Sequence, residues 1–293
     1  MSPLRQRSAL LYGDPNALDG TPYKACIALH SIHPSSNGNG RIALSCSPQS
    51  TALPVYELVS QAITEQGPIE IAVLACEPLQ ILDAAQECLS NGIQELIIIT
   101  TGVPPLDMVQ LLAIAERSKA TVLGPGGGLI IPGRAWFGPK DPVCYLPGNI
   151  AILGRSPALC DRVAKYLVQQ SHGISVAIAL GDEGILGSNY VSWLQRLQDE
   201  PITEKIVLAG ISTEIAEVEA AHYLKTGFSK PVIVYLVGAQ EQFPCNFQTA
   251  QAIATQRLRA NSLVPLAKPN ALQAFQEAGY NPQTRLAALS QFL

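Results

Sequence analysis

Strand-length runs of uninterrupted apolar residues recur along the chain: "SALLYG", "RIALSCS", "IEIAVLAC", "ELIIIT" and "ATVLG", then "NIAILG", "SVAIALG", "EKIVLAG" and "PVIVYLVG". They are rich in Ile, Val and Leu and do not alternate with polar residues. A strand of that kind needs cover on both faces, which helices laid over a parallel sheet provide. Between the runs lie segments of helical period, among them "LPVYELVSQAITEQ", "EPLQILDAAQECLSNG" and "TEIAEVEAAHYLKTG". Strand–helix–strand alternation of this sort predicts an α/β fold with mostly parallel sheets.

The rhythm breaks once, at "GPGGGLIIPGRAWFGPKDPVCYLPG", residues 124–148. Its density of Gly and Pro reads as a linker. It divides the chain into an α/β unit over residues 1–123 and a second over 149–293. A length of 293 residues accommodates two such units with real cores.

Composition narrows the partners. Charged residues are 14% of the chain, against roughly a quarter in ordinary globular proteins. A chain this poor in charge either buries its surface efficiently or keeps a subunit interface. The formal net charge of −4 argues against nucleic acid. No apolar run reaches the roughly 18 residues of a membrane helix. The opening "MSPLRQRSALLYGD" does not read as a signal peptide, so a cytoplasmic location is expected. The seven cysteines form no C-x-x-C pair, which fits reduced thiols and neither a disulfide frame nor a zinc site.

Candidate site residues come from the turns. In "YGDPNALDGTPYKAC" the segment between Gly13 and Gly20 occupies the place of a dinucleotide phosphate loop, but G-x-G-x-x-G is missing. Asp14 and Asp19 would compete with a phosphate for the helix dipole and its N–H groups, so NAD or FAD is not expected. His30 and His33 in "HSIH" read as neighbours of a helix end, where the dipole alone favours histidine, and no metal site is expected. "GPGGGL" lacks the lysine of a P-loop. "GRSPALCDRV" is a helix start with Ser156 as N-cap and Pro157 in the first turn. Gly154, Arg155 and Ser156 could also donate to an anion there.

Several segments in order resemble the α subunit of succinyl-CoA synthetase: "LPVYELVSQA", "ELIIITTGVPPLDM", "ATVLGPGGGLIIPG", "IAILGRSPAL", "GDEGILGSNYVSWLQRLQDEP" and "EKIVLAGISTEIAEVEAAHYLK". The resemblance runs from about Ser8 to the C-terminus, with gaps. It implies an N-terminal Rossmann-like domain of CoA-binding type and a C-terminal flavodoxin-like domain of ligase type. It also implies an ATP-grasp β subunit as partner. The family passes a phosphoryl group from nucleotide through a phosphohistidine to a carboxylate, and CoA attacks the acyl phosphate. Imidazole suits that relay because it is nucleophilic near neutrality and leaves readily once phosphorylated.

The departures fall on that chemistry. The family's Gly-His-Ala-Gly loop matches the region "AQEQFPCNFQTAQAIATQ", which has no histidine. The glutamate that steadies the phosphohistidine falls near Gly210. The CoA loop Gly-Phe-Thr-Gly-Ser-Gln-Gly meets "GDPNALDG", and the lysine after the next strand has no counterpart in "SPQSTALP". Ile-Thr-Glu becomes Ile99, Thr100 and Thr101, and the substrate tyrosine falls at Asp161. The resemblance leaves Gly13, Gly20, Thr100, Thr101, Gly102, Arg155 and Ser156 as a degenerate CoA or anion site, and no catalytic residue.

The leading expectation is a non-catalytic α-subunit-like protein that binds or scaffolds an ATP-grasp β-like chain, or associates with itself. No cofactor is expected, with CoA binding weak or absent. Active acyl-CoA ligase chemistry by an altered route, and a small-molecule sensor with a remodelled nucleotide-type pocket, are the alternatives. The face carrying Asp161, Phe243 and Phe247 is the expected interface.

Overall fold

In the computed structural model, residues 9–13, 29–32, 55–132, 135–137, 145–238 and 270–291 are described. They form two six-stranded sheets. The first contains β1 (Ala9–Gly13), β2 (Leu29–Ile32), β3 (Val55–Tyr56), β4 (Ile71–Ala75), β5 (Glu95–Ile98) and β6 (Thr121–Leu123), ordered β3-β2-β1-β4-β5-β6. Every pairing in it is parallel. This is the doubly wound order in which the strand sequence reverses beside β1, so a crevice opens at the carboxyl ends of β1 and β4.

Helices α1 (Val59–Gln66), α2 (Ile81–Ser90) and α3 (Pro105–Arg117) pack on one face of that sheet. The period of two decides which strand residues meet them. Leu10, Ala72, Leu74, Leu96 and Ile98 turn toward the helices. Leu11, Val73 and Ile97 turn the other way, into a core shared with the second sheet. Strands β1, β4 and β5 are therefore apolar on both faces, as their unbroken runs imply. Burial pushes the thiols of Cys76, Cys88 and Cys160 up, Cys76 to about 11, so these behave as small hydrophobes.

The second sheet contains β7 (Gly128–Ile131), β8 (Ala135–Phe137), β9 (Pro147–Gly154), β10 (Ile174–Ala179), β11 (Lys205–Ile211) and β12 (Val232–Val237), ordered β12-β11-β9-β10-β7-β8. Strands β9 to β12 are parallel, and β7 and β8 join antiparallel. The parallel strands alone follow the flavodoxin-like order, with its reversal between β9 and β11. On one face lies α4 (Pro157–Gln169). On the other lie α5 (Tyr190–Gln198), α6 (Ile215–Lys225) and α7 (Ala271–Glu277). The backbone of Gln283 runs beside β12, donating to Val234 O and accepting from Leu236 N, each at 2.8 Å.

Three sequence expectations are corrected. The Gly/Pro segment 124–148 carries β7 and β8, which extend the second sheet. Its "GLII" is a short strand masked in the sequence by flanking Gly and Pro. "PVY" falls in a stretch of helical period, but Val55–Tyr56 is β3 and the helix begins at Val59. His30 lies within a strand, β2. Here "LHSI" hydrogen-bonds to β1, a long-range pairing that local period cannot reveal. "RIALSCS" lies outside the described residues.

Two features bind the layers. At the joint, Gly124 and Gly181 have φ of +101° and +112°, a region that suits glycine. A Cβ on Gly181 would run into the Pro125 carbonyl oxygen, and one on Gly124 into that of Ile98. Within the first unit, Glu87 on α2 acts as a cap for α1. Its Oε1 accepts from Val59 N at 2.8 Å and its Oε2 from the Tyr12 hydroxyl at 3.1 Å. The N-cap residue itself is Leu58, which has no acceptor to offer. Glu87→Ala is expected to cost about 1–2 kcal/mol in denaturant unfolding, with Glu87→Gln losing less because an amide oxygen still accepts.

Candidate functional site

The site follows from topology. At the reversal of the second sheet, the chain leaves β9 at Arg155 and Ser156 and leaves β11 toward α6. In an open α/β sheet, ligands sit in the crevice at such a point. A cleft of about 500 Å³ opens there, bordered by Arg155, Glu214 and Ile215, by Ser188 and Asn189 after β10, and by Thr121 and Arg196 on its far side.

Arg155 is fixed through its backbone. Its N–H donates to Ala209 O, and its carbonyl accepts from Gly181 N, both at 3.0 Å. Among the described residues its guanidinium has no ion-pair partner. Arg196 is already committed. It hydrogen-bonds the Thr121 hydroxyl, lies 4.0 Å from Glu95 Oε1, and stacks 5.0 Å from the Trp193 ring centroid. It ties α5 to β5 and β6 across the joint, which leaves Arg155 as the cation available to an anion in the cleft.

The helix starts bordering the cleft are locally encoded. Ser156 accepts from Leu159 N at 3.3 Å, with Pro157 in the first turn as the sequence implies. No acidic residue stands in that turn, so the dipole of α4 is not neutralised by its own side chains. Asn189 and Ser192 form a reciprocal capping box on α5. Sequence reading missed that box, although Asn-x-x-Ser ahead of an apolar stripe is its signal.

Behind the cleft lies a buried acid. Glu217, in the first turn of α6, is fully buried. Its Oε1 accepts from Ile211 N at 3.0 Å and from the Tyr190 hydroxyl at 3.2 Å, and that hydroxyl also lies 2.9 Å from Ala209 O. Among the described residues its Oε2 has no hydrogen-bond partner. Burial raises the Glu217 carboxyl above its ordinary range, opposed by the Ile211 N–H and by Arg155. Burial, then the charge of Glu217, pushes Tyr190 up. The space is made by Gly210, whose added Cβ would come 2.5 Å from Glu217 Cγ. Sequence reading overlooked Glu217, which looks like one acid in an acidic helix.

The remaining candidates separate. Thr100 spends its hydroxyl on Cys76 O at 2.7 Å. Thr101 is exposed, and Gly102, with φ of +77°, donates its N–H to Glu183 Oε1 at 2.7 Å. The Thr100–Gly102 loop thus meets the loop after β10, whose later residues border the cleft holding Arg155. Gly13 ends β1 beside Ala75 of β4, at the reversal of the first sheet. Gly20 lies outside the described residues. Asp161 is half-buried and accepts from the Tyr145 hydroxyl at 2.5 Å; Phe243 and Phe247 lie outside the described residues. Among the described residues, no cluster of His, Cys, Asp and Glu could hold a metal ion, and no helix is long and apolar enough to cross a membrane.

The buried acid has a pH signature. A carboxyl raised on folding contributes stability that is complete below its unfolded value, ordinarily near 4.5, and is lost as pH rises through the folded value. Glu217→Gln should flatten that loss. Urea unfolding from pH 4 upward should show the wild type falling relative to the variant, and parallel curves would contradict it.

No family model matches the chain. Similarity to individual proteins is clear. The chain is 29% identical over 191 residues to the malate–CoA ligase α subunit of Methylorubrum extorquens, covering 64% of each chain. It is 30% identical over 187 residues to succinate–CoA ligase [ADP-forming] α subunit 2 of Archaeoglobus fulgidus, again covering 64% of each. The chain thus spans just under two thirds of the length of these curated relatives. In fold it superposes on ATP citrate lyase from Methanothrix soehngenii with a TM-score of 0.79 at 20% identity, covering 98% of this chain and 48% of that one. A dinucleotide-forming acetyl-coenzyme A synthetase of Ca. Korarchaeum cryptofilum gives 0.65 at 20% identity, covering 96% of this chain and 59% of that one. The fold is that of a Rossmann-like unit joined to a flavodoxin-like unit, and by sequence the chain is similar to the α subunits of succinate–CoA ligases.

Proposed function

We propose that this chain is a CoA-ligase α-subunit-like protein without the phosphohistidine route, acting as a non-catalytic binding or scaffold partner of an ATP-grasp β-like chain. The observation that carries the reading is where the four histidines fall. His30 is within β2, at the far unit. His172 precedes β10, at the amino end of that strand, and His222 is exposed on α6. His33 lies outside the described residues, in the segment between β2 and β3. The stretch after β12, residues 239–269, contains no histidine in sequence. Among the described residues, none at the carboxyl ends of the second sheet is a histidine that could serve a relay through imidazole.

The names of the relatives, α subunits of ligases, support a partner of this kind. A low charged fraction of 14% is consistent with a subunit interface. CoA is expected to bind weakly, worse than ~100 μM: Asp14 and Asp19 stand in the phosphate-loop position, and each lost charge-assisted contact costs about ten- to hundred-fold in affinity. The division at residues 124–148 is kept as a proposal, with the hairpin of β7 and β8 going with the second unit.

A second reading is favoured by the cleft itself. With Arg155 open to it and a capped helix start beside it, the cleft suits a small anion, which fits a sensor as well as a scaffold.

The test is phosphoryl transfer. With labelled ATP or GTP and magnesium, with or without a β-like partner, no phosphoenzyme is expected. In residues 239–256 the remaining acceptors are Glu241, Cys245, Thr249 and Thr255, with no Lys, Arg or His among them to lower the thiol. Label approaching one per chain, abolished by Cys245→Ala or Glu241→Gln, would replace this reading with the enzyme.

A further inference from the structure

The Thr100–Gly102 loop follows β5 at the surface, and Glu183 of the second unit reaches it with a side-chain hydrogen bond. Glu183, in the loop after β10, places Oε1 2.7 Å from Gly102 N. The loop on the receiving side is held in place. Thr100 anchors its hydroxyl on Cys76 O, and Gly126 N donates to Thr100 O at 3.0 Å. The loop on the giving side is held as well. Gly181 N donates to Arg155 O at 3.0 Å, and Gly187 N to Gly124 O at 2.8 Å. Glu183 is thus presented from a braced turn to a braced N–H. Asp182 faces the same joint, with Oδ1 3.3 Å from where a Gly126 Cβ would stand.

We propose that Glu183 is a built-in occupant of the anion position at the Thr100–Gly102 loop, a tethered carboxylate that keeps this loop from an external anionic ligand and latches the two units together. The proposal rests on the reading of that loop as a remnant of a CoA contact. An exposed backbone N–H serves one acceptor well. A carboxylate makes the stronger, charge-assisted bond with it. Because that carboxylate is covalently attached, it competes at a high effective concentration. A phosphate or carboxylate arriving from solution must break that bond and approach two negative side chains. Thr101 adds no cation, and Arg155 serves the cleft on the other side of the Glu183 loop.

The full-length chain and its Glu183→Ala, Glu183→Gln and Asp182→Asn variants are titrated calorimetrically with coenzyme A at low salt. Amide exchange at Gly102 is followed in the same proteins. Glu183→Ala should bind coenzyme A about tenfold or more tightly than the wild type, with faster exchange at Gly102. Glu183→Gln, which retains an acceptor without the charge, should fall between. Asp182→Asn, which removes charge without the contact, should change affinity much less. Equal, weaker or absent binding by Glu183→Ala overturns the proposal, as does the same gain from Asp182→Asn. Wild-type exchange at Gly102 at the unprotected rate overturns it too. The outcome is separate from that of the phosphoenzyme test: label incorporation would remove the non-catalytic reading, while these titrations read affinity alone.

Discussion

The close approach of two sheets at a joint built on glycine is the constraint on which the rest depends. Gly124 and Gly181 occupy conformations that a side chain would strain, at positions where a Cβ would meet a carbonyl oxygen. Their lack of side chains lets the turn at 124–127 lie against the loop after β10. Gly187 N then reaches Gly124 O, and Arg196 reaches Thr121. Leu11, Val73 and Ile97 of the first sheet share one core with Leu153, Ile178 and Leu208 of the second. A single methyl at Gly181 would push against the Pro125 carbonyl and the Leu186 side chain, at the turn where the two units touch.

The same closeness sets the chemistry. Each sheet directs its crevice to the carboxyl ends of its strands, and the joint brings the loops after β5, β9 and β10 together. What lines the resulting surface is asymmetric. The second unit offers one available guanidinium, an uncommitted helix dipole and a capped helix start, backed by a buried acid held between Tyr190 and Ile211. The first offers a loop whose N–H is already taken by Glu183. The surface can hold charge and orient it, yet among its described residues it lacks a nucleophile of histidine type.

Much of the fold was legible because buried parallel strands announce themselves. "IAVLA", "VAIA" and "IVLAG" carry no polar residue to spend on solvent, and each lies buried within its strand. Ser156 was legible for a local reason as well: a cap followed by Pro is decided within one turn. What escaped depended on distant partners. His30 sits in a strand because β1 pairs with it, and "GLII" joins a sheet because β10 lies beside it. Glu217 differs from the other acids of α6 only in facing Tyr190 and Gly210. The bond between Glu183 and Gly102 spans 81 residues, a separation that no motif spacing encodes.

The strand-like run of backbone at Gln283 has a consequence for how this molecule can meet others. By exchanging hydrogen bonds with Val234 and Leu236, it takes up donors and acceptors on the outer side of β12. An open parallel edge is a template on which a foreign strand, or a second copy, can extend the sheet. Here part of that template is filled from within the chain. A strand added on this side would have to displace the Gln283 backbone from Val234 and Leu236 before it could pair along the whole of β12.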